Sequence, residues 1–133
     1  MALRRPGYWV MFSSALLMAA AGICLLFFPA LVDTWVLPIG ANNALALQLL
    51  AAVYLGMAMM NHMAKGQLLG GIYGRPICVG NFMHFLIGLF ILIKQLLDGS
   101  VLPGLIAATA IYALYTIIFA RLLFRMPPVV ERL

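Results

Sequence analysis

Long apolar runs alternate with short polar breaks along the chain. The four runs cover residues 8–32, 43–63, 77–97 and 103–124. Each run holds about 20 to 25 residues, enough for a helix rising 1.5 Å per residue to cross about 30 Å of hydrocarbon. Gly, Pro, Asp and Asn occupy the breaks, as is typical of loops and helix caps. The pattern predicts an all-α integral membrane protein, with residues 1–133 forming a single bundle of four transmembrane helices joined by short loops.

Composition supports this class. The 133 residues are 66% hydrophobic and only 8% charged, and the mean hydropathy is +1.13. A soluble domain carries about 25% charged residues, so a water-facing surface is excluded. A membrane β-barrel needs strands of about 10 residues that alternate apolar and polar positions, whereas these runs are longer and unbroken. Because the first run exceeds the 7 to 15 residues or so of a signal-peptide core, we expect it to be a retained helix.

The basic residues are distributed unevenly between the breaks. Four spans place both termini on the side of the second loop, and that side carries seven of the eight basic residues, against Lys94 on the other. The positive-inside rule therefore predicts a multi-pass protein with both termini in the cytoplasm. We expect the net charge of +5 to contact anionic lipid headgroups rather than nucleic acid. The seven residues are Arg4, Arg5, Lys65, Arg75, Arg121, Arg125 and Arg132.

Polar side chains inside the apolar runs are the first candidates for function. Each residue of a helix turns about 100°, so one face of the third helix carries a stripe of polar and small residues: Asn81, His84, Gly88 and Gln95. One face of the second helix carries polar residues in the same way: Asn43, Tyr54 and Asn61. Polar side chains avoid lipid, so we expect both faces to point into the bundle or toward another protomer.

These polar groups and part of the basic charge converge on the predicted cytoplasmic end. The amino end of the third helix also points free backbone amides there, which favours an anionic group. Two interpretations stay open. One is hydrogen bonding between helices, worth about 1 kcal/mol per bond, together with interfacial charge. The other is a binding site for a lipid headgroup, a quinone or a small anionic solute. The candidate ligand-binding residues are Asn61, His62, Lys65, Arg75, Asn81 and His84.

The sequence offers no catalytic constellation, and we expect neither a metal nor a cofactor. His62 lies near the predicted surface and His84 about one and a half turns deeper, so their rings should not share a ligand. No further His, Cys or buried carboxylate completes a metal shell. Cys24 and Cys78 differ in depth, which argues against a disulfide.

Three segments carry a resemblance to known proteins. These are "GICLLFFPALV" from Gly22 to Val32, "AAVYLGMAMMNHMAK" from Ala51 to Lys65, and "GNFMHFLIG" from Gly80 to Gly88. Together they resemble the loose group of small bacterial four-helix membrane proteins that includes the DoxX-like families. The likeness covers most of the chain through its apolar patterning. It implies a four-helix fold and a location in a bacterial inner membrane, and no particular activity, because the functions of that group are mostly unsettled.

Three classes of function follow from these observations. The leading one is a small non-enzymatic membrane protein that binds an amphipathic ligand, either a lipid or a quinone, or a partner membrane subunit at the cytoplasmic-side polar site. The second is a small-solute transporter or channel formed by an oligomer. The third is an enzyme acting on a lipid or quinone. The expected partners are membrane lipids, with a homo-oligomer or a larger membrane complex as a further possibility.

Overall fold

A computed structural model gives the placement of residues 6–36, 38, 40, 43–66 and 74–125. The described residues form helices and no strands. Four of the five helices, α1, α3, α4 and α5, are long and apolar enough to cross a membrane. This confirms the predicted all-α membrane fold with four spanning helices. The helices are α1 (Pro6–Phe27), α2 (Pro29–Trp35), α3 (Ala44–Ala64), α4 (Gly74–Leu97) and α5 (Pro103–Arg125).

The first apolar run differs from the single helix expected over residues 8–32. It is divided at Phe28, whose backbone angles of φ −129° and ψ 49° are not helical. Pro29 explains the break, because proline lacks an amide hydrogen and disfavours a helical conformation in the residue before it. The Phe28 amide still donates to the carbonyl of Cys24 at 2.8 Å, so α1 ends with that hydrogen bond made. The seven-residue helix α2 then follows as a separate segment.

Helix α2 packs on the start of α5. The backbone of Gly104 lies so close to the carbonyl of Trp35 that a β-carbon at this position would overlap it. Beyond α2, the amide of Gly40 donates to the carboxylate of Asp33 at 2.6 Å, and Gly40 has a φ of +82°, which favours glycine. The contact at Gly104 therefore holds α2 against α5, while the hydrogen bond between Gly40 and Asp33 lies within the segment itself.

The spanning helices form two antiparallel pairs. Helix α1 packs along α3 and α4 packs along α5, while the backbones of the two pairs approach each other less closely. Gly22 allows the close contact of the first pair, since a β-carbon there would lie 2.8 Å from Cγ of Leu55 and 3.2 Å from the carbonyl oxygen of Ala51. Small residues serve this purpose in membranes because lipid supplies no hydrophobic force between helices.

Large side chains fill the space between the two pairs. Met11 and Met18 of α1 are buried against Phe85 of α4 and Phe119 of α5. The ring of Phe85 stacks on Tyr115 with centroids 4.9 Å apart and on Phe119 with centroids 5.8 Å apart. In lipid this core is stabilised by dispersion and shape fit rather than by removal of apolar surface from water.

The contact at Gly22 gives a test of the first helix pair. We expect Gly22→Ala to lower the free energy of unfolding by about 1 to 3 kcal/mol, because Leu55 and the α3 backbone would have to shift. Gly56→Ala is the matched control on α3, since a β-carbon at Gly56 meets nothing within 4 Å. Thermal unfolding in detergent measures both variants. Equal stability of the two would contradict close packing at Gly22.

Candidate functional site

The six candidate residues lie at three depths, from the surface of one end of the bundle to the middle of the membrane span. We call this end, formed by the starts of α1 and α4 and the ends of α3 and α5, the basic end, and the opposite one the far end. His62, Lys65 and Arg75 lie at the surface of the basic end, and Asn61 and Asn81 lie beneath them. His84 lies deeper still, ten residues into α4. The structure therefore divides the predicted site into three separate groups.

Asn61 and Asn81 form a reciprocal amide pair between α3 and α4. Nδ2 of each residue donates to Oδ1 of the other, and both distances are 2.7 Å. Both side chains are completely buried. The inward orientation expected for these residues is therefore found, with each asparagine as the direct partner of the other.

The remaining amide hydrogens of the pair are also used. Nδ2 of Asn61 donates to Oγ of Ser14 at 3.1 Å, and Nδ2 of Asn81 donates to the carbonyl of Ile77 at 2.9 Å. The Ser14 hydroxyl donates to the carbonyl of Met11 at 3.0 Å, so its oxygen is left to accept from Asn61. All four amide hydrogens have acceptors, which leaves none for a ligand. The group joins α1, α3 and α4, while a role of the two asparagines in ligand binding stays a prediction.

His84 belongs to a different set of contacts. Its Nε2 lies 3.2 Å from the hydroxyl of Tyr112, and that hydroxyl is hydrogen-bonded to the hydroxyl of Tyr54. The ring of Tyr54 also meets the imidazole edge-on, with centroids 5.2 Å apart. We call these three residues the Tyr–Tyr–His chain. It links α3, α4 and α5, and thus both helix pairs.

Tyr112 was not among the residues predicted from the sequence, although Gly88 offered a signal for it. A β-carbon at Gly88 would overlap the ring of Tyr112, so glycine lets this tyrosine lie against α4 one turn beyond His84. The Tyr–Tyr–His chain lies near the middle of the membrane span. Tyr54 is ten residues from each end of α3, or about 15 Å at 1.5 Å per residue. All three side chains are partly exposed.

The surface group is built around Lys65. Its Nζ lies 2.9 Å from Nε2 of His62 and 5.3 Å from the centroid of the Phe12 ring. An ammonium group can only donate, so an imidazole nitrogen of His62 accepts in this contact. Arg75, in the first turn of α4, and Arg121, near the end of α5, are exposed at the same end.

No carboxylate of the described residues neutralises these cations. The two acidic residues in the described part of the chain are Asp33 in α2 and Asp98 just after α4. Both lie at the far end, a full membrane span from Lys65. The basic end is therefore a cationic surface that lies above the buried amide pair.

Within the described ranges, no three His, Cys, Asp or Glu side chains lie close enough together to hold a metal ion. Cys24 is exposed and Cys78 is buried, and both are free thiols. His62 contacts Lys65 and Phe12, whereas His84 contacts Tyr54 and Tyr112.

The fold and the polar groups define the class as a multi-pass helical membrane protein. Comparisons with models of protein families, with curated proteins and with solved structures gave no match for the chain. The resemblance to the DoxX-like families therefore stays a prediction.

The amide pair can be tested by a double-mutant cycle. We expect Asn61→Leu and Asn81→Leu each to lower the free energy of unfolding by about 1 to 3 kcal/mol, because each leaves a buried amide without its partner. The double variant should be more stable than the sum of the two losses implies, since it removes both polar groups. Thermal unfolding in detergent is the measurement, and strictly additive losses would show that the two amides are not coupled.

Proposed function

We propose that this chain is a small, non-enzymatic membrane protein that binds the anionic headgroup of an amphipathic ligand, an acidic phospholipid above all, at its basic end. The observation that supports this proposal is the surface group of Lys65, His62 and Arg75. Its positive charge has no acidic neighbour in the described residues. A phosphate or carboxylate supplied by a ligand would provide the missing counter-charge.

The surroundings of Lys65 suit a molecule with both polar and apolar parts. Phe12 lies beneath the ammonium, and its ring adjoins Trp9, with centroids 6.2 Å apart. Trp9 and Met63 are largely exposed at 55% and 73%, which offers apolar surface for acyl chains next to the cation. The free amides of the first turn of α4 add a favourable dipole for an anion beside Arg75.

A partner membrane subunit with an acidic segment is the second occupant of the same surface that we consider. It would use the same cations, so the lipid experiment below also separates it from a lipid. The transporter and enzyme alternatives stay predictions without a specific supporting contact among the described residues.

We further propose that the protein resides in a bacterial inner membrane with its basic end and both termini in the cytoplasm. Among the described residues, Lys65, Arg75 and Arg121 lie at the basic end, whereas Lys94 lies near the far end. This asymmetry agrees with the positive-inside rule.

Acidic-lipid retention tests the headgroup site. We expect the double variant Lys65→Gln and Arg75→Gln to retain phosphatidylglycerol roughly 30-fold less well, since each basic residue near an anionic headgroup contributes about 1 kcal/mol. Native mass spectrometry after release from detergent counts the lipid adducts. Phosphatidylcholine, which carries no net charge, should be retained equally by the parent protein and the variant.

Lys94→Gln is the matched control, because it removes a lysine from the other end of the bundle and should leave phosphatidylglycerol retention unchanged. Unchanged retention in a correctly inserted double variant would show that the cations only set orientation. Loss of a co-purified membrane protein without loss of lipid would instead favour a partner subunit.

Orientation can be tested by labelling single cysteines in a variant whose Cys24 and Cys78 are replaced by alanine. In intact bacterial cells, a membrane-impermeant maleimide should label Ser100→Cys at the far end and not Gly66→Cys at the basic end. Both should react once the membrane is permeabilised. Labelling of Gly66→Cys in intact cells would reverse the proposed topology.

A further inference from the structure

The Tyr–Tyr–His chain holds more protons than it has hydrogen bonds. Each tyrosine hydroxyl carries one hydrogen, and a neutral imidazole carries one on its ring nitrogens, so the three groups have three donors. The described residues form two hydrogen bonds within this chain, one between Tyr54 and Tyr112 and one between Tyr112 and His84. One donor is therefore left without an acceptor, whichever way the chain is oriented.

The position of the spare donor depends on that orientation. If both hydroxyls donate toward the imidazole, the spare hydrogen is on Nδ1 of His84. If the imidazole donates to Tyr112 and Tyr112 donates to Tyr54, the spare hydrogen is on the Tyr54 hydroxyl. If Tyr112 accepts from both neighbours, its own hydroxyl hydrogen is spare. No arrangement of these two bonds uses all three donors.

An unpaired donor is costly at this depth. The chain lies about 15 Å from either end of α3, where a polar group without a partner loses the hydrogen bonds that water would give it. Thr109 and Thr116 donate to carbonyls one turn back on α5, and neither hydroxyl is hydrogen-bonded to the chain. The hydrogen bonds of the described residues thus supply no further acceptor for the chain.

We propose that the Tyr–Tyr–His chain binds the carbonyl oxygen of a lipophilic molecule dissolved in the membrane, of the chemical class to which quinones belong. Depth selects this class, because phospholipid phosphates and ester carbonyls lie near the membrane surface, about 15 Å from the chain. A carbonyl oxygen has lone pairs and no hydrogen, so it accepts the spare donor in all three orientations.

Aromatic rings surround the hydrogen bonds of the chain. All three side chains are partly exposed, so a ligand can approach from the lipid. The rings of Tyr54 and His84 stand nearly perpendicular, at 82°. Phe85 packs edge-on against the chain, with its ring centroid 5.2 Å from the ring centroids of both His84 and Tyr112. The site is distinct from the headgroup surface and does not depend on it.

The inference can be tested by infrared spectroscopy of a benzoquinone with one isoprenyl unit and carbon-13 at both carbonyls. The protein is placed in bilayers of diether phosphatidylcholine, which has no ester carbonyl. On binding, we expect a labelled carbonyl band to move to lower wavenumber, because a hydrogen bond weakens the C=O bond. An unshifted band with the parent protein would overturn the proposal without any variant.

The decisive variant is the triple substitution Tyr54→Phe, His84→Phe and Tyr112→Phe, which removes all three donors. It should abolish the band shift and weaken quinone binding by about tenfold or more, as expected for loss of a hydrogen bond in a membrane. Its thermal unfolding midpoint should hold, since every polar partner is removed together. A retained shift with unchanged affinity would overturn the proposal.

Tyr115→Phe is the matched control, because Tyr115 lies one turn along α5 and stacks on Phe85 outside the chain. It should keep both the shift and the affinity. A second arm replaces the quinone by a diester phosphatidylcholine labelled at its ester carbonyls, and no shift is expected. A shifted ester band would overturn the assignment to a membrane-dissolved carbonyl compound.

Discussion

The arrangement of the bundle depends on the amide pair of Asn61 and Asn81. Apolar side chains specify little between helices in lipid, because a leucine packs as well against an acyl chain as against another leucine. A buried amide differs, since any arrangement that separates it from its partner leaves a donor and an acceptor unpaired in hydrocarbon. The reciprocal bonds of 2.7 Å are thus the contact that distinguishes the native register of α3 and α4 from its neighbours.

Fixing this register also places the deeper groups. Tyr54 precedes Asn61 by two turns on α3, and His84 follows Asn81 by nearly one turn on α4. Because the two helices are antiparallel, both residues lie deeper in the membrane span than the amide pair. Tyr112 then reaches them from α5 across the glycine at position 88. The same amides lie buried beneath Lys65. The amide pair thus fixes the register of α3 and α4 and, through it, the position of the Tyr–Tyr–His chain.

The sequence carries some of these features and not others. Unbroken apolar runs predict the four spans, and helical spacing predicts that Asn61, Asn81 and His84 avoid lipid. The end of α1 at Phe27 was missed because the apolar run continues, although Pro29 marks the break. Tyr112 was missed because one hydroxyl in an apolar helix does not reveal its hydrogen-bond partner. The sequence also does not reveal that α4 pairs with α5. The spacing of polar residues shows which of them share a face of a helix, but not which other helix packs against that face.

The two histidines show why depth decides what a side chain can do. His62 lies at the surface, where its nitrogen accepts from Lys65 and water can satisfy the rest of the ring. His84 lies in the span, where a hydrogen without an acceptor has no water to meet it. Asn61, Asn81 and Ser14 are completely buried between these two levels. Among the described residues, these buried side chains separate Lys65 from the Tyr–Tyr–His chain. The proposed headgroup site lies at the membrane interface, and the proposed carbonyl site lies within the span.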